Sequence, residues 1–173
     1  MNLYRHYNKP QALAHYDTVI STVKQKELDE FWKSLGMYFA VGTEGIDLVL
    51  SKPRISYLYA KHIANGRFPE GEDIIATDSD YSKLYALNIL EGRFPKGEDA
   101  IAKDMQNSMA YARLIGGRFE KGEPAIARSA LHSWLYGAKI MKQRFPLGEV
   151  AMRGTGHWKK YVKNMNDMGI EIE

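Results

Sequence analysis

The sequence predicts an all-α protein: short helix pairs that repeat about every 26 residues, preceded by an irregular N-terminal cap. Three observations predict this class. One motif recurs four times in the chain, and each copy has the apolar spacing of a helix. Each helical stretch is followed by Arg-Phe, usually with a glycine before it and a proline after it. Self-similarity at a fixed period of this size is typical of solenoids and related arrays.

Each copy begins at a tyrosine and then carries an Arg-Phe step and a Gly-Glu step. The copies run from Tyr59 to Asp78, from Tyr85 to Asp104, from Tyr111 to Ser129 and from Tyr136 to Gly154, and a fifth start stands at Tyr161. The recurring arginines are separated by 26, 25 and 26 residues. We therefore divide the chain into a cap at 1–50, four helical repeats at 51–154, and a C-terminal capping helix with a tail at 155–173.

The first helix of a copy is predicted from apolar spacing. Tyr81, Leu84, Tyr85, Ile89 and Leu90 recur at the spacing of one helical face. A residue that can cap the helix N-terminus stands seven positions before the tyrosine, at Asp78, Asp104 and Ser129. A glycine follows the helix at Gly66, Gly92 and Gly117, where a left-handed residue is expected. The fourth copy has Gln143 there, which predicts a strained or different helix exit.

The second helix of a copy is predicted to be short, about two turns, and to depend on packing against its neighbours. Prolines suit its first turn, at Pro69, Pro95 and Pro146. A glutamate then lies near its positive end, and an IIA, AIA or VAM segment supplies the apolar side. The phenylalanine of each Arg-Phe step is the expected anchor between helices.

These strings resemble the short tandem helical repeats of the form YAxxVLxGRFPEGExAIA that occur in tailed-phage and some bacterial proteins. The resemblance covers about Tyr57 to Arg153, and GRFPEGE and GRFPKGE carry it most specifically. It implies a helical array encoded by a phage or prophage, and it carries over no catalytic or binding residues. The third copy departs from the pattern at Glu120, and the fourth copy lacks the glycine.

The recurring Arg-Phe and Gly-Glu pairs have two interpretations. They are either a row of identical binding sites or an internal ladder in which the arginine reaches the glutamate of its own turn and the glycine lets two helices approach. We favour the structural interpretation, because stacking requires identical residues in every copy. These structural repeat residues are Arg67, Phe68, Glu72, Arg93, Phe94, Glu98, Arg118, Phe119, Glu123, Arg144, Phe145 and Glu149. Arg93→Ala is then expected to lower the melting temperature without abolishing any single binding activity.

The two ends of the array are predicted separately. A helix opens at Pro10 with an apolar face, and a shorter helix runs from Glu27 to Leu35. Residues 37–50 are either a small β-hairpin or, as we favour, a cap that ends in a degenerate second helix at 44–50. At the other end we expect a helix from Thr155 to about Asn166 and a frayed tail after it.

Partner contacts are expected where the copies differ rather than where they agree. The differing positions follow the tyrosine by two and three residues: Lys61 and His62, Leu87 and Asn88, Arg113 and Leu114, Ala138 and Lys139, Lys163 and Asn164. A second candidate surface is the C-terminal string HWKKYVKNM, with Lys159, Lys160 and Lys163 next to Trp158. Basic residues interleaved with aromatic ones suit nucleic acid, although a solvated helix face has the same pattern.

Composition limits the remaining classes. The net charge is +3, and the positive excess lies in residues 130–173, with seven basic and four acidic residues. The chain has no cysteine, no HExxH, no P-loop and no GxSxG, so no catalytic, metal-binding or cofactor-binding residue is proposed and no cofactor is expected. No apolar run approaches the roughly 20 residues that span a bilayer, and the first residues lack a signal-peptide core. We expect a cytoplasmic protein without membrane association, in the host cytoplasm if a phage encodes it.

The leading functional hypothesis is a non-enzymatic protein-interaction module that binds a host or phage protein. The alternative is a nucleic-acid-binding protein that uses the basic C-terminal end. A third hypothesis is an enzyme with its site in the N-terminal segment, the only part of the chain without repeats. The sequence predicts neither the partner nor the oligomeric state.

Overall fold

A computed structural model of the chain describes residues 49–62 and 64–172. All secondary-structure elements assigned within these residues are helical, which confirms the all-α class for the described part. The chain divides into two compact units, with the boundary between Thr77 and Asp78. The predicted helices at Pro10 and Glu27–Leu35 lie outside the described residues, as does nearly all of the 37–50 segment.

The first unit contributes helix α1, Pro53–His62, a 3-10 turn, Pro69–Gly71, and helix α2, Glu72–Ile75. Its core side chains come from both helices and from the loop between them: Ile55, Tyr57, Leu58, Ala60, Phe68 and Ile75. Val49 is helical and fully buried, and its carbonyl accepts a hydrogen bond from the Ser56 hydroxyl at 2.6 Å.

The second unit holds seven further helices within its described residues. They are α3, Ser79–Tyr85; α4, Glu98–Ile101; α5, Met105–Leu114; α6, Glu123–Ile126; α7, Ala130–Leu135; α8, Pro146–Met152; and α9, Gly156–Asp167. We call α3, α5, α7 and α9 the long helices, since α3 and α7 are extended by the π segments Ala86–Leu90 and Tyr136–Met141, and α4, α6 and α8 the short helices. Each long helix, or the π segment that continues it, carries one tyrosine that is fully inaccessible to solvent. These tyrosines are Tyr85, Tyr111, Tyr136 and Tyr161.

The N-termini of the long helices are capped by the residues that the spacing predicts. Asp78 accepts hydrogen bonds from the backbone N–H groups of Asp80 and Tyr81, at 2.9 and 3.0 Å. Asp104 and Ser129 cap α5 and α7 in the same way, whereas Thr155, which caps α9, stands six positions before Tyr161 rather than seven. Because the first N–H groups of a helix have no partner inside it, these side chains define where each helix starts.

The C-terminal ends of the long helices differ from the prediction. The left-handed residue is not Gly66, Gly92 or Gly117 but the residue before each of them: Asn65, Glu91 and Gly116. In the fourth copy Lys142 takes this conformation, with φ of 52°, close to the 48° of Glu91. The expected strained exit at Gln143 is therefore wrong, because the fourth copy leaves its helix as the second copy does.

A π-helical segment accommodates the difference in length between the copies. α3 continues into the π segment Ala86–Leu90, and α7 continues into Tyr136–Met141. The third copy is one residue shorter between its tyrosine and arginine, and its helix α5 stays α-helical to Leu114. The wider turn takes up the extra residue, so the arginine follows the helix in the same way in both kinds of copy.

Each short helix begins with a single 3-10 turn or directly as an α-helix. The turns Pro95–Gly97 and Glu120–Gly122 lead into α4 and α6, whereas α8 starts at Pro146. Proline occupies the first helical position in most copies, where its missing N–H leaves no partner unsatisfied. Glu120 fills that position in the third copy without changing the turn.

The C-terminal tail is ordered by packing, so the prediction of a frayed tail is wrong through residue 172. Gly169 is left-handed, with φ of 73°, and the Ile170 N–H donates to the Met165 carbonyl at 2.9 Å. Ile170 and Ile172 pack against the buried cluster that contains Tyr161 and Met165. The tail returns to the core because these two isoleucines continue the apolar face of α9.

Candidate functional site

The residues common to the copies form one hydrogen-bonded set, best seen in the third copy. The Glu123 carboxylate is buried and accepts two hydrogen bonds from the guanidinium of Arg118, at 2.6 and 3.0 Å. The ion pair between the arginine and the glutamate of the same copy recurs as Arg67–Glu72, Arg93–Glu98 and Arg144–Glu149. A buried carboxylate needs such partners, because desolvation penalises its charged form.

The following copy completes this set with its tyrosine. The Tyr136 hydroxyl accepts the Phe119 N–H at 2.8 Å and donates to Glu123 at 3.2 Å. Tyr111 bridges Phe94 and Glu98 in the same way, and Tyr161 bridges Phe145 and Glu149. Each of these turns therefore has its buried polar groups satisfied by the helix that comes after it.

The tyrosines and the carboxylates respond electrostatically to these surroundings. Burial raises the pKa of Tyr111 and of Tyr161 to about 12 and also raises the pKa of Tyr136. The hydrogen bond from Arg144 holds the pKa of Glu149 below its usual value. At neutral pH each of these tyrosine hydroxyls is thus protonated and able to donate to its glutamate.

A close approach of two helices explains the glycine of each Gly-Glu pair. A Cβ added at Gly97 would lie 2.6 Å from Phe94 Cε1 and 2.8 Å from Ser82 Cβ. The same crowding recurs at Gly71, Gly122 and Gly148. Every copy has a fully buried serine three positions before its tyrosine, and sequence reasoning missed this recurrence. The four serines are Ser56, Ser82, Ser108 and Ser133. The serine becomes visible when the alignment of the copies starts seven residues before each tyrosine instead of at the tyrosine.

The varying positions after each tyrosine are mostly exposed. Lys61, Leu87, Asn88, Arg113, Lys139 and Lys163 are exposed, and His62, Leu114 and Asn164 are half-buried. Ala138 is the exception, because α9 and its tail cover it as part of the buried cluster with Met152 and Tyr161. Ala138 is therefore excluded from a solvent-facing surface.

The C-terminal helix exposes its lysines as predicted, but the aromatic rings beside them are not open surfaces. Lys159, Lys160 and Lys163 are exposed on α9, but its neighbouring aromatic rings contact groups of the same chain. The Trp134 ring stacks on His157 at 5.8 Å and lies 5.2 Å from the Lys160 ammonium group. These rings serve packing between α7 and α9.

The Trp158 ring, like that of Trp134, contacts a cation and a second ring of the same chain. The guanidinium of Arg153 lies 4.8 Å from its centroid, and the Tyr161 ring lies 5.9 Å away. Lys159 and Lys163 line a shallow, open depression on α9 together with Val162, Asn166 and Asp167 as well as Trp158. The depression thus combines four polar side chains with the apolar surfaces of Trp158 and Val162.

Exposed apolar side chains mark a surface that sequence reasoning missed. On α8 the Leu147 side chain is 52% exposed and the Val150 side chain is 80% exposed. They are one helical turn apart and lie on one face. The second copy has Lys96 and Asp99 at the equivalent positions, so a comparison of the copies carries the signal.

The other features of the described residues add no further site. Residues 49–62 and 64–172 contain no cluster of His, Asp and Glu side chains that could hold a metal ion. Within the same residues, every helix is too short or too polar to span a lipid bilayer. Comparison with protein-family models, with curated proteins and with solved structures finds no match.

Proposed function

We propose that the chain is an α-helical repeat array that acts as a non-enzymatic protein-interaction module, encoded by a phage or prophage and acting in the host cytoplasm. One observation carries this proposal. In the described copies the recurring polar residues bind one another, whereas most of the residues that differ between copies face solvent. An array with this division of roles keeps one scaffold and changes its partner through its surface.

The array itself is part of the proposal. In the second unit, the tyrosine of each following helix completes the turn before it, and this supports stacking of copy upon copy. The Ser56–Val49 hydrogen bond supports a further, degenerate copy at the N-terminal end. Ser108 and Ser133 make the same bond to the residue seven positions earlier, Ile101 and Ile126.

A protein partner is favoured over nucleic acid by the contacts on α9. Nucleic-acid binding through stacked bases needs open aromatic faces, and the rings of Trp134 and Trp158 already contact cations of the chain. The exposed leucines and valine suit a protein partner, because apolar side chains gain nothing from phosphates. Nucleic-acid binding remains the second candidate, since Lys159, Lys160 and Lys163 are exposed together on one helix.

Affinity capture from a bacterial lysate, with and without nuclease, tests the proposed function. We expect one protein to be recovered in stoichiometric amount, to persist after nuclease and to survive moderate salt. Recovery of nucleic acid alone, with binding that weakens steeply as salt rises, would favour the second candidate. A variant in which all three α9 lysines are replaced by glutamine separates the two outcomes, because it should reduce only the nucleic-acid signal.

A further inference from the structure

The exposed side chains on the short helices change from charged to apolar along the second unit. In the second and third copies, Lys121 reaches back to Asp99 with an ion pair of 2.8 Å between copies. In the fourth copy, Leu147 stands at the position that Lys121 occupies in the third. The position of Asp99 is taken by Pro124 in the third copy and by Val150 in the fourth. We call Pro124, Leu147 and Val150 the apolar edge. The charged pair Lys121–Asp99 thus has two apolar residues at its equivalent positions one copy further on.

The fold does not require this change. Lys96, Asp99 and Lys121 occupy the equivalent positions in earlier copies, so the scaffold accepts charged residues there. Leu147 and Val150 nevertheless stay largely exposed on one face of α8, and grouped exposed apolar side chains mark interaction sites more often than single ones do. This contrast between copies of one chain indicates that the apolar edge serves binding rather than packing.

Charge around the apolar edge indicates which partner covers it. Arg153 follows α8 directly and is exposed, and Lys142 and Arg144 precede it. These three residues stand at the two ends of α8, and the acidic residue of this helix, Glu149, is buried and paired with Arg144. An apolar centre with a basic surround is complementary to an apolar anchor that is flanked by carboxylates.

We propose that the apolar edge docks a short protein segment that presents one or two aliphatic or aromatic side chains between acidic residues. This inference rests on the proposed function and identifies its surface and the chemistry of its partner. A second copy of this chain fits less well, because a twofold contact would bring the basic surround against itself. Nucleic acid fits less well because the centre of the patch offers no donor to a phosphate.

Selection from a library of random linear peptides, with the full-length protein as bait, tests this surface. The test variant is Leu147→Lys with Val150→Asp, which installs the residue types of the second copy and should therefore fold. The matched control is Leu87→Lys, since Leu87 is similarly exposed, at 47%, and the first copy has Lys61 at the equivalent position. Thermal melts of all three proteins establish that they are folded.

We expect the enriched peptides to carry an aliphatic or aromatic residue flanked by Asp or Glu. A synthetic peptide of the consensus sequence should bind about tenfold more weakly to the double variant and equally well to the control, as measured by fluorescence anisotropy. Binding should weaken with salt without disappearing, because the apolar contact does not depend on ionic strength.

Several results would overturn the inference. Enriched peptides that bind the double variant undiminished would move the site elsewhere, and peptides without acidic residues would refute the partner chemistry. Self-association of the wild-type protein that the double variant abolishes would make a second copy the occupant. Failure to enrich any peptide would also refute docking of a short segment. The lysate capture would still succeed in these cases if the chain is an interaction module, so the two proposals fail separately.

Discussion

Replacing Gly97 by alanine tests whether helix packing requires the glycine of the Gly-Glu pair. The backbone of Gly97 has φ of −88°, which any residue adopts, so the substitution creates no backbone strain. Its cost comes from packing alone. The new methyl group would lie 2.6 Å from Phe94 Cε1 and 2.8 Å from Ser82 Cβ, well inside the 3.4 Å of ordinary contact.

The surrounding atoms have little room to move. Phe94 is buried against the Tyr85 ring at a centroid distance of 5.0 Å, and Ser82 is fully buried. Overpacking of this kind destabilises a protein by about 1–3 kcal/mol. The smaller entropy of the unfolded alanine chain offsets about 0.4–1 kcal/mol of this loss. We therefore expect Gly97→Ala to lower the free energy of unfolding by about 1–2 kcal/mol.

Gly92→Ala is the matched control in the same copy. A Cβ at Gly92 meets nothing closer than the Leu90 carbonyl oxygen, at 3.6 Å, and the backbone φ is not positive. This change should be neutral or stabilising by a few tenths of a kcal/mol. Urea unfolding followed by circular dichroism measures both variants. Equal stability of the two variants would refute the role assigned to helix approach at Gly97.

The remaining predictions concern the buried tyrosines and carboxylates. Tyr136→Phe leaves the buried Phe119 N–H without a partner and should destabilise the protein by about 1–3 kcal/mol in the same urea assay; a loss under 0.5 kcal/mol would contradict that hydrogen bond. Folding raises the pKa of Tyr111 and Tyr161 from 10 to about 12, so stability should fall as pH rises from 10 to 12; a flat profile in this window would contradict their burial. Folding lowers the pKa of Glu149, so its contribution to stability should be present above pH 4.5 and lost as pH falls below that value, and a Glu149→Gln variant should show a smaller loss in an acid titration of the melting temperature.

Local sequence signals predicted much of the helical scaffold. Capping residues seven positions before the tyrosine placed the starts of α3, α5 and α7 correctly, because side-chain capping depends only on nearby backbone groups. The helix ends were less predictable. One extra residue can be accommodated by a π turn or by a longer loop, and the pattern around Gly92 does not distinguish the two. The preference for a left-handed glycine after a helix predicts this conformation for Gly92, whereas Glu91 adopts it.

Tertiary contacts explain the other differences. A frayed tail is predicted because chain ends are usually poorly ordered, but Ile170 and Ile172 meet a cluster that only the folded chain brings together. The solvent exposure of Leu147 and Val150 was not expected, because a single copy with LGEVAM reads as an ordinary amphipathic turn. Only comparison with Lys96 and Asp99, together with the exposure that the structure gives, distinguishes these exposed apolar residues from core residues.

In the second unit, the tyrosine of the following helix completes each turn that precedes it, at Phe94, Phe119 and Phe145. Amide hydrogen exchange in the wild-type protein and in Tyr161→Phe measures this directly. We predict that the amides of Phe94, Phe119 and Phe145 all exchange slowly in the wild type, and that the variant accelerates Phe145 well beyond the other two. Equal acceleration of all three amides, or an already rapid Phe145 amide in the wild type, would contradict the claim.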